Sequence, residues 1–248
     1  MSYYASFQGR VYLGKRDASG NPIELRTPGN VAELKLALKA DVIEHYESQS
    51  GSRSLDHRMI KQKSATVTLT LDEFTKENLA LALYGHFVQS PTGTVTDEPL
   101  PAGVVVGDRY ALAHPKVSAL IVKDSPGASL TLGTHYTADT DFGAIQFLDL
   151  ASFVPPFKAS YSYGAVTEIG IFTQPAPERF LRLEGINTAQ GNAKTLVELY
   201  RIAFDPLKEI SFISNEYNQF ELEGSLLADP GKPVDAALGQ FGRLVQIL

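Results

Sequence analysis

Cysteine is missing from all 248 residues, which removes disulfide stapling, thiol catalysis and thiolate metal sites together. Long apolar runs are missing too: none approaches the ~18 residues a spanning helix needs, and no basic-then-apolar leader opens the chain. The expectation is a chain with no membrane segment, made and folded in a cytoplasm. Positive charge is in short supply, with 22 Lys and Arg against 28 Asp and Glu for a net charge of −6. That balance argues against a surface that grips phosphate backbones but leaves room for one that DNA merely passes. No Gly-x-Ser-x-Gly elbow, P-loop or dinucleotide-binding glycine pattern occurs, and there are no clear internal repeats or low-complexity tracts. What is there, 44% hydrophobic residues, suffices for one large β domain or two smaller ones.

The stretch from Val31 to Gly85 organises the rest. Leu34, Leu36, Leu38, Ala40 and Val42 alternate with Glu33, Lys35, Ala37, Lys39 and Asp41. A period of two is the pattern of a strand with one face on a core and one in water. A second strand is predicted from about His57 to Phe74, where Ala65, Val67, Leu69 and Leu71 alternate with Ser64, Thr66, Thr68 and Thr70. The polar turn Ser48-Gln-Ser-Gly-Ser52 joins them into one hairpin. Arms of roughly fifteen residues would span about 50 Å, against ~20 Å for an ordinary strand. The far half, Glu44 to Lys63, reads as almost free of apolar residues and therefore as projecting into solvent. A helix of about eleven residues follows, with Thr75 as N-cap, Glu77 in the first turn, Leu79, Ala82 and Leu83 on one face, and Gly85 as the stop.

Around this unit the chain reads as mainly β. A first strand lies within Tyr3 to Leu13, and Pro22 to Arg26 is a short strand or extended arm. Runs at Val104–Val106, Ser118–Val122, Ser129–Leu132, Ala144–Phe147 and Lys158–Tyr163 recur at roughly ten-residue intervals between turn signals. They suggest a separate small sandwich or barrel inserted into a host domain. The host resumes with strands at Arg179–Ile186, Thr195–Phe204, Lys208–Ser214 and Gln219–Leu227. The division expected is 1–91 for the first part of the host, 92–166 for the insert and 167–248 for the second part. The tail from Phe241 to Leu248 is apolar enough to need a partner surface.

Chemistry is sparse. His45 and His57 can face each other across the hairpin beside Glu44, Glu47 and Asp56, but a metal site needs three or four convergent ligands. A solvated polar arm is the expectation there. His114 and His135 read as surface residues. Asp139-Thr-Asp141 looks like part of a Ca²⁺ loop whose closing glutamate is missing. Glu221 and Glu223 point the same way on one strand, so they do not oppose each other as a glycosidase pair does. No catalytic residue, cofactor or metal is expected, and an enzyme is the least favoured class. Basic residues gather on one arm of the hairpin, at Arg53, Arg58, Lys61 and Lys63, opposite Glu44 and Glu47. This two-signed hairpin would meet a complementary surface on another copy.

The order of these features resembles the major tail tube proteins of long-tailed bacteriophages with flexible, non-contractile tails. The residues that carry the resemblance are Tyr12-Leu-Gly-Lys-Arg-Asp17, Gly20-Asn-Pro22, Val31-Ala-Glu-Leu-Lys-Leu36 and Glu47-Ser-Gln-Ser-Gly-Ser-Arg53. They continue through Val67-Thr-Leu-Thr-Leu-Asp-Glu-Phe-Thr-Lys-Glu-Asn-Leu79 and Ala82-Leu-Tyr-Gly85. The likeness spans the first ninety residues or so and, more loosely, Thr167 to Leu248; the segment between resembles the immunoglobulin-like decorations some tail proteins carry. The resemblance implies a β-sandwich with one flanking helix and a long projecting hairpin. It also implies rings of six copies stacked into a tube, assembled in the host cytoplasm and carried in the virion tail. Partners would be further copies of the chain and the tape measure, tail tip and tail terminator proteins, with DNA passing through the lumen unbound. Twenty-four strands at ~4.8 Å, tilted ~45°, close into a barrel roughly 50 Å across, wide enough for duplex DNA. The hairpin would bridge subunits or rings. Lumen-lining candidates are Glu221 and Glu223, whose charge would repel phosphates, and Glu33, Lys35, Lys39 and Asp41. A second reading is a carbohydrate- or cell-surface-binding β module, with Tyr110, Tyr136, Tyr161 and Tyr163 stacking on sugars.

Overall fold

The computed structural model describes residues 4–150, 152–234 and 238–247. Among them are sixteen strands and a single α-helix. The strands are β1 (Phe7–Arg16), β2 (Pro22–Arg26), β3 (Val31–Tyr46), β4 (Leu55–Leu71), β5 (Phe87–Ser90), β6 (Gly93–Pro99), β7 (Arg109–Ala111) and β8 (Val117–Lys123). They continue with β9 (Tyr136–Asp139), β10 (Ala144–Phe147), β11 (Lys158–Tyr163), β12 (Val166–Ile169), β13 (Glu178–Asn187), β14 (Ala193–Phe204), β15 (Phe220–Leu226) and β16 (Gly242–Ile247). Helix α1 is Lys76–Ala82. The chain divides into two compact units, one of residues 1–86 with 169–248 and the other of residues 87–168.

The first unit is built on one antiparallel sheet in the order β2-β1-β13-β14-β15-β4-β3, with β16 also paired to β14. Strand β14 is long enough to share one edge between two partners, β16 along Lys194–Leu199 and β15 along Ile202–Phe204. Alternation decides which side is dry. Val67, Leu69 and Leu71 of β4, Leu222 of β15, and Leu181, Ile202 and Phe204 are sealed in one core with Val11 and Leu13. Helix α1 adds Leu81 and Ala82 to that core. The Thr75 hydroxyl accepts the amide of Asn78 at 3.2 Å, as an N-cap should. The Asn78 side chain, fully buried, donates to the carbonyls of Pro28 and Glu73 and accepts from Arg26, pinning the loop before β3 to the helix.

The helix departs from the sequence reading. It is seven residues long, it buries Leu81 rather than Leu79 or Leu83, and the left-handed residue beyond it is Tyr84 (φ 50°), not Gly85. Gly85 is required for another reason: a Cβ there would lie 2.0 Å from the carbonyl oxygen of Gly170. His86 O accepts the amide of Gly170 at 3.0 Å, so the chain leaves the first unit and returns to it at neighbouring points.

The second unit holds two three-stranded antiparallel sheets, β7-β10-β9 and β6-β11-β8, and β5 pairs with β12. Val117, Val122, Tyr136, Ile145, Phe147, Ala159 and Tyr161, drawn from both three-stranded sheets, meet in one core. Two expected strands are absent. Val104–Val106 is irregular, and Ser129–Leu132 makes only isolated bridges. In the first unit Lys208–Ser214 is also irregular. Its β-forming side chains join no ladder among the described residues. The tail, in contrast, forms β16 on the edge of β14, while Leu248 and Tyr3 lie outside the described residues.

Candidate functional site

Strand β3 closes one end of the large sheet, and its outer edge has no partner strand among the described residues. Its register with β4 pairs Leu34 with Leu69, Leu36 with Val67 and Leu38 with Ala65. Cross-strand partners share a face, so these leucines extend the dry face of β4 by one strand. On β4 that face is sealed. On β3 it is open, with Leu36 44% and Leu38 77% exposed. The expectation that Leu36 and Leu38 pack on the core of their own subunit is therefore corrected: Val31 and Leu34 pack against the core, and beyond them the dry face of β3 is uncovered. A groove of about 340 Å³ follows the boundary, lined by Leu38, Ala40, Ala65, Leu226 and Phe241 and edged by Lys39 and Lys63.

The hairpin outgrows the sheet. Pairing of β4 with β15 stops at Thr66, after which β4 and β3 run on as a two-stranded ribbon to Leu55 and Tyr46. Nine further residues along β3 at ~3.4 Å make an arm of roughly 30 Å. Glu44 and Arg58 face each other across the arm, their nearest atoms 3.6 Å apart. Lys63 pairs with Ala40, and Lys61 is the extra residue where the register shifts opposite Asp41 and Val42. Arg53 holds a left-handed φ of 50° in the turn. Glu47 organises that turn, its carboxylate accepting from the amides of Gln49 (2.8 Å) and Ser50 (2.9 Å) and from the hydroxyls of Ser50 and Ser52. The Ser50 hydroxyl first, then these other donors, hold its pKa far below the usual carboxylate range.

One reading of the arm is overturned. Residues 44–63 are not nearly free of apolar side chains: Tyr46, Leu55, Met59 and Ile60 stand exposed, with Ile43 beside them. The register groups Val42 with Ile60 and Tyr46 with Leu55, and Ile43 with Met59 on the other face. The signal was in the sequence, in the β-formers of Val42-Ile43 and Met59-Ile60. An arm this apolar needs company.

The proposed lumen residues converge. Glu33 pairs with Thr70, and Thr70 with Glu221; Lys35 pairs with Thr68, and Thr68 with Glu223. Lys39 and Asp41 continue the same face of β3. The six therefore share the wet face of β3-β4-β15. Five of the six are in local ion pairs, Lys35–Glu33 at 2.7 Å, Lys39–Asp41 at 3.1 Å and a Lys208–Glu223 pair. Hydrogen bonding to Glu33 and to Glu223 raises the ammonium pKa of Lys35 and Lys208 respectively, and the nearby Glu221 charge adds to both. The face is thus a threonine-rich wall of mostly paired charges, with Glu221 outside the ion pairs, rather than the acidic strip that β15 alone suggests.

The remaining candidates each have a structural setting. His45 and His57 are cross-strand partners, and His45 Nδ1 lies 2.6 Å from Asp56, but no group of three or more metal-ligating residues occurs among the described residues. Asp139 is bound to Arg109 at 2.6 Å and accepts the amide of Phe142, so its carboxylate already has partners. Tyr136 and Tyr161 are buried in the second core and cannot stack on a sugar. Tyr110 packs its ring edge-on to Phe147, and Tyr163 is stacked by His114 at 3.8 Å, so His114 is a packing partner rather than a free surface residue. Of the four tyrosines of the carbohydrate reading, only Tyr110 and Tyr163 are half-exposed. No helix among the described residues is long and apolar enough to cross a membrane.

What sequence reasoning missed is the loop between β14 and β15. There Phe212, Ile213 and Tyr217 are 77%, 94% and 101% exposed. Serine hydroxyls shape this loop locally, Ser211 donating to Ile213 O and Ser214 to Glu216 O. The strand-like run Lys208–Ser214 was its only signal.

With these surfaces in view, comparison adds a family. The chain belongs to the family described as "Protein of unknown function UCP028589", which matches residues 4–245. No curated protein matches it.

Proposed function

We propose that this member of the family is a structural protein that assembles with copies of itself into the tail tube of a long-tailed bacteriophage. Rings of six would stack into the conduit through which DNA is ejected into the host. The observation that carries the reading is the uncovered dry face of β3, where Leu36 and Leu38 continue a sealed core into solvent. A strand edge with open hydrogen-bonding groups and an apolar face beside it is a liability in a monomer and a joint in a polymer. The sheet ends in two such strands, β2 and β3, as closure of a ring between subunits requires.

In this reading the first unit is the tube-forming sandwich, and the apolar arm of β3 and β4 reaches a neighbouring subunit or ring. The wet face of β3-β4-β15 lines the lumen. Threonines and charges paired within the wall give passing phosphates little to bind. The second unit is an immunoglobulin-like decoration. The tape measure, tail tip and tail terminator proteins are the heterologous partners, and the assembled protein resides in the virion tail.

The test is negative-stain electron microscopy of the purified chain at rising concentration, with its mass followed by light scattering. Hollow rings or tubes are expected. A monomer at every concentration, with and without a tail-tip complex added, would end the reading.

A further inference from the structure

The loop 207–217 and the groove beside β3 are complementary in shape and in charge. The loop is a knob: Phe212, Ile213 and Tyr217 stand almost wholly in solvent. The groove is a socket of about 340 Å³ walled by Leu38, Ala40, Ala65, Leu226 and Phe241. A cavity of about 150 Å³ holds a benzene ring, so this one has room for an aromatic and an aliphatic side chain together. The loop carries Glu209 and Glu216, and its one cation, Lys208, is paired with Glu223 of the same copy. The groove is edged on the dry face by Lys63, which pairs with Ala40; Lys39, also at its edge, turns its ammonium to Asp41 on the wet face.

Within one copy the two cannot meet. The loop precedes β15, which begins at Phe220, and the groove lies at its far end, by Leu226. That separation is about 20 Å along the strand. Residues 206–211 also lie over the wet face, against Thr70, Glu221 and Glu223, whereas the groove opens on the dry face. We infer that the Phe212–Tyr217 loop of one copy seats in the Leu38–Phe241 groove of the next. Such a contact joins two different surfaces, so it propagates from copy to copy and closes into a ring only if the rotation permits. The inference rests on the self-assembly reading and adds the residues of one joint.

A chain without cysteine makes the test clean. Leu38→Cys and Ile213→Cys change exposed side chains, so both variants should fold as the parent does. Mixed under mild oxidation, they are expected to give a covalent dimer that neither gives alone, and the double variant a ladder of linked copies. Electron microscopy of the same samples reports rings or tubes independently. Assemblies without the mixed disulfide would overturn this joint and leave the tube reading standing. Linked copies without rings or tubes would uphold the joint and overturn the tube. Absence of both would overturn both. Charge gives a second route: Glu209→Lys with Glu216→Lys should weaken association on the order of tenfold, and mixing with Lys63→Glu chains should restore part of it. Unchanged association in the charge-reversed chain would count against the joint.

Discussion

Glu47 sits in solvent at the tip of the hairpin and still accepts four hydrogen bonds from its own turn. Those donors favour the charged form, so the folded pKa lies below the unfolded one. The stabilisation is fully present above the ordinary carboxylate range and lost only as pH falls through the depressed value. Amide-exchange protection at Gln49 and Ser50 should therefore survive to about pH 3, where unperturbed carboxylates are largely protonated. Glu47→Ala should abolish that protection while leaving protection in the first unit's core unchanged. Glu198 is a buried counterpart. Arg182 and Arg243 approach its two oxygens at 2.8 and 2.6 Å, and the three residues form one row across β13, β14 and β16. Removing one member of a buried ion pair costs about 3–5 kcal/mol. Both arginines are about one-third exposed, so water recovers part of that. Glu198→Ala should lower unfolding free energy by about 1–3 kcal/mol in urea titrations and speed amide exchange along β16.

At the level of elements, the proposed assembly makes β3 the strand where folding and association can be told apart. Leu36 and Leu38 are exposed in the single chain, so replacing both with serine should change monomer stability by less than about 1 kcal/mol. The same change should abolish assembly measured by light scattering. If the double variant melted far below the parent, these leucines would belong to the core after all. The long hairpin was legible because its alternation is strict and its length extreme. Which of its leucines would be covered was not, because alternation reports a dry face and not what dries it. Lys208–Ser214 misled for a related reason. A run of β-formers predicts a strand, but a strand exists only where a neighbouring edge accepts it, and among the described residues none does. The helix stop was misassigned to Gly85 because glycine signals both a left-handed turn and a close approach, and here the approach decides. The lumen candidates fell on separate strands in the sequence. Only the register through Thr68 and Thr70 unites them.

At the level of the whole molecule, the division at residues 86 and 169 makes the second unit separable in principle. Each unit has its own core. Replacing residues 87–168 with a short Gly/Ser linker should leave the first unit folded, with its β circular dichroism spectrum and a single cooperative melt. Rings or tubes should persist if the first unit alone builds them. Loss of cooperative melting in the shortened chain would show that the host depends on its insert.

The bond from Gly170 N to His86 O has a consequence beyond folding. Because the backbone departs and returns at one spot, the host sheet is indifferent to the length of chain between. Closing a loop costs only about 0.6 kcal/mol for each doubling of its length. A sequence encoding any domain whose termini lie close together can be spliced there without rewriting the host sheet. In a polymer of identical copies, one such splice recurs at every subunit along the fibre. The same spot would thus act as an address on a periodic lattice, open to exchange by recombination or by design.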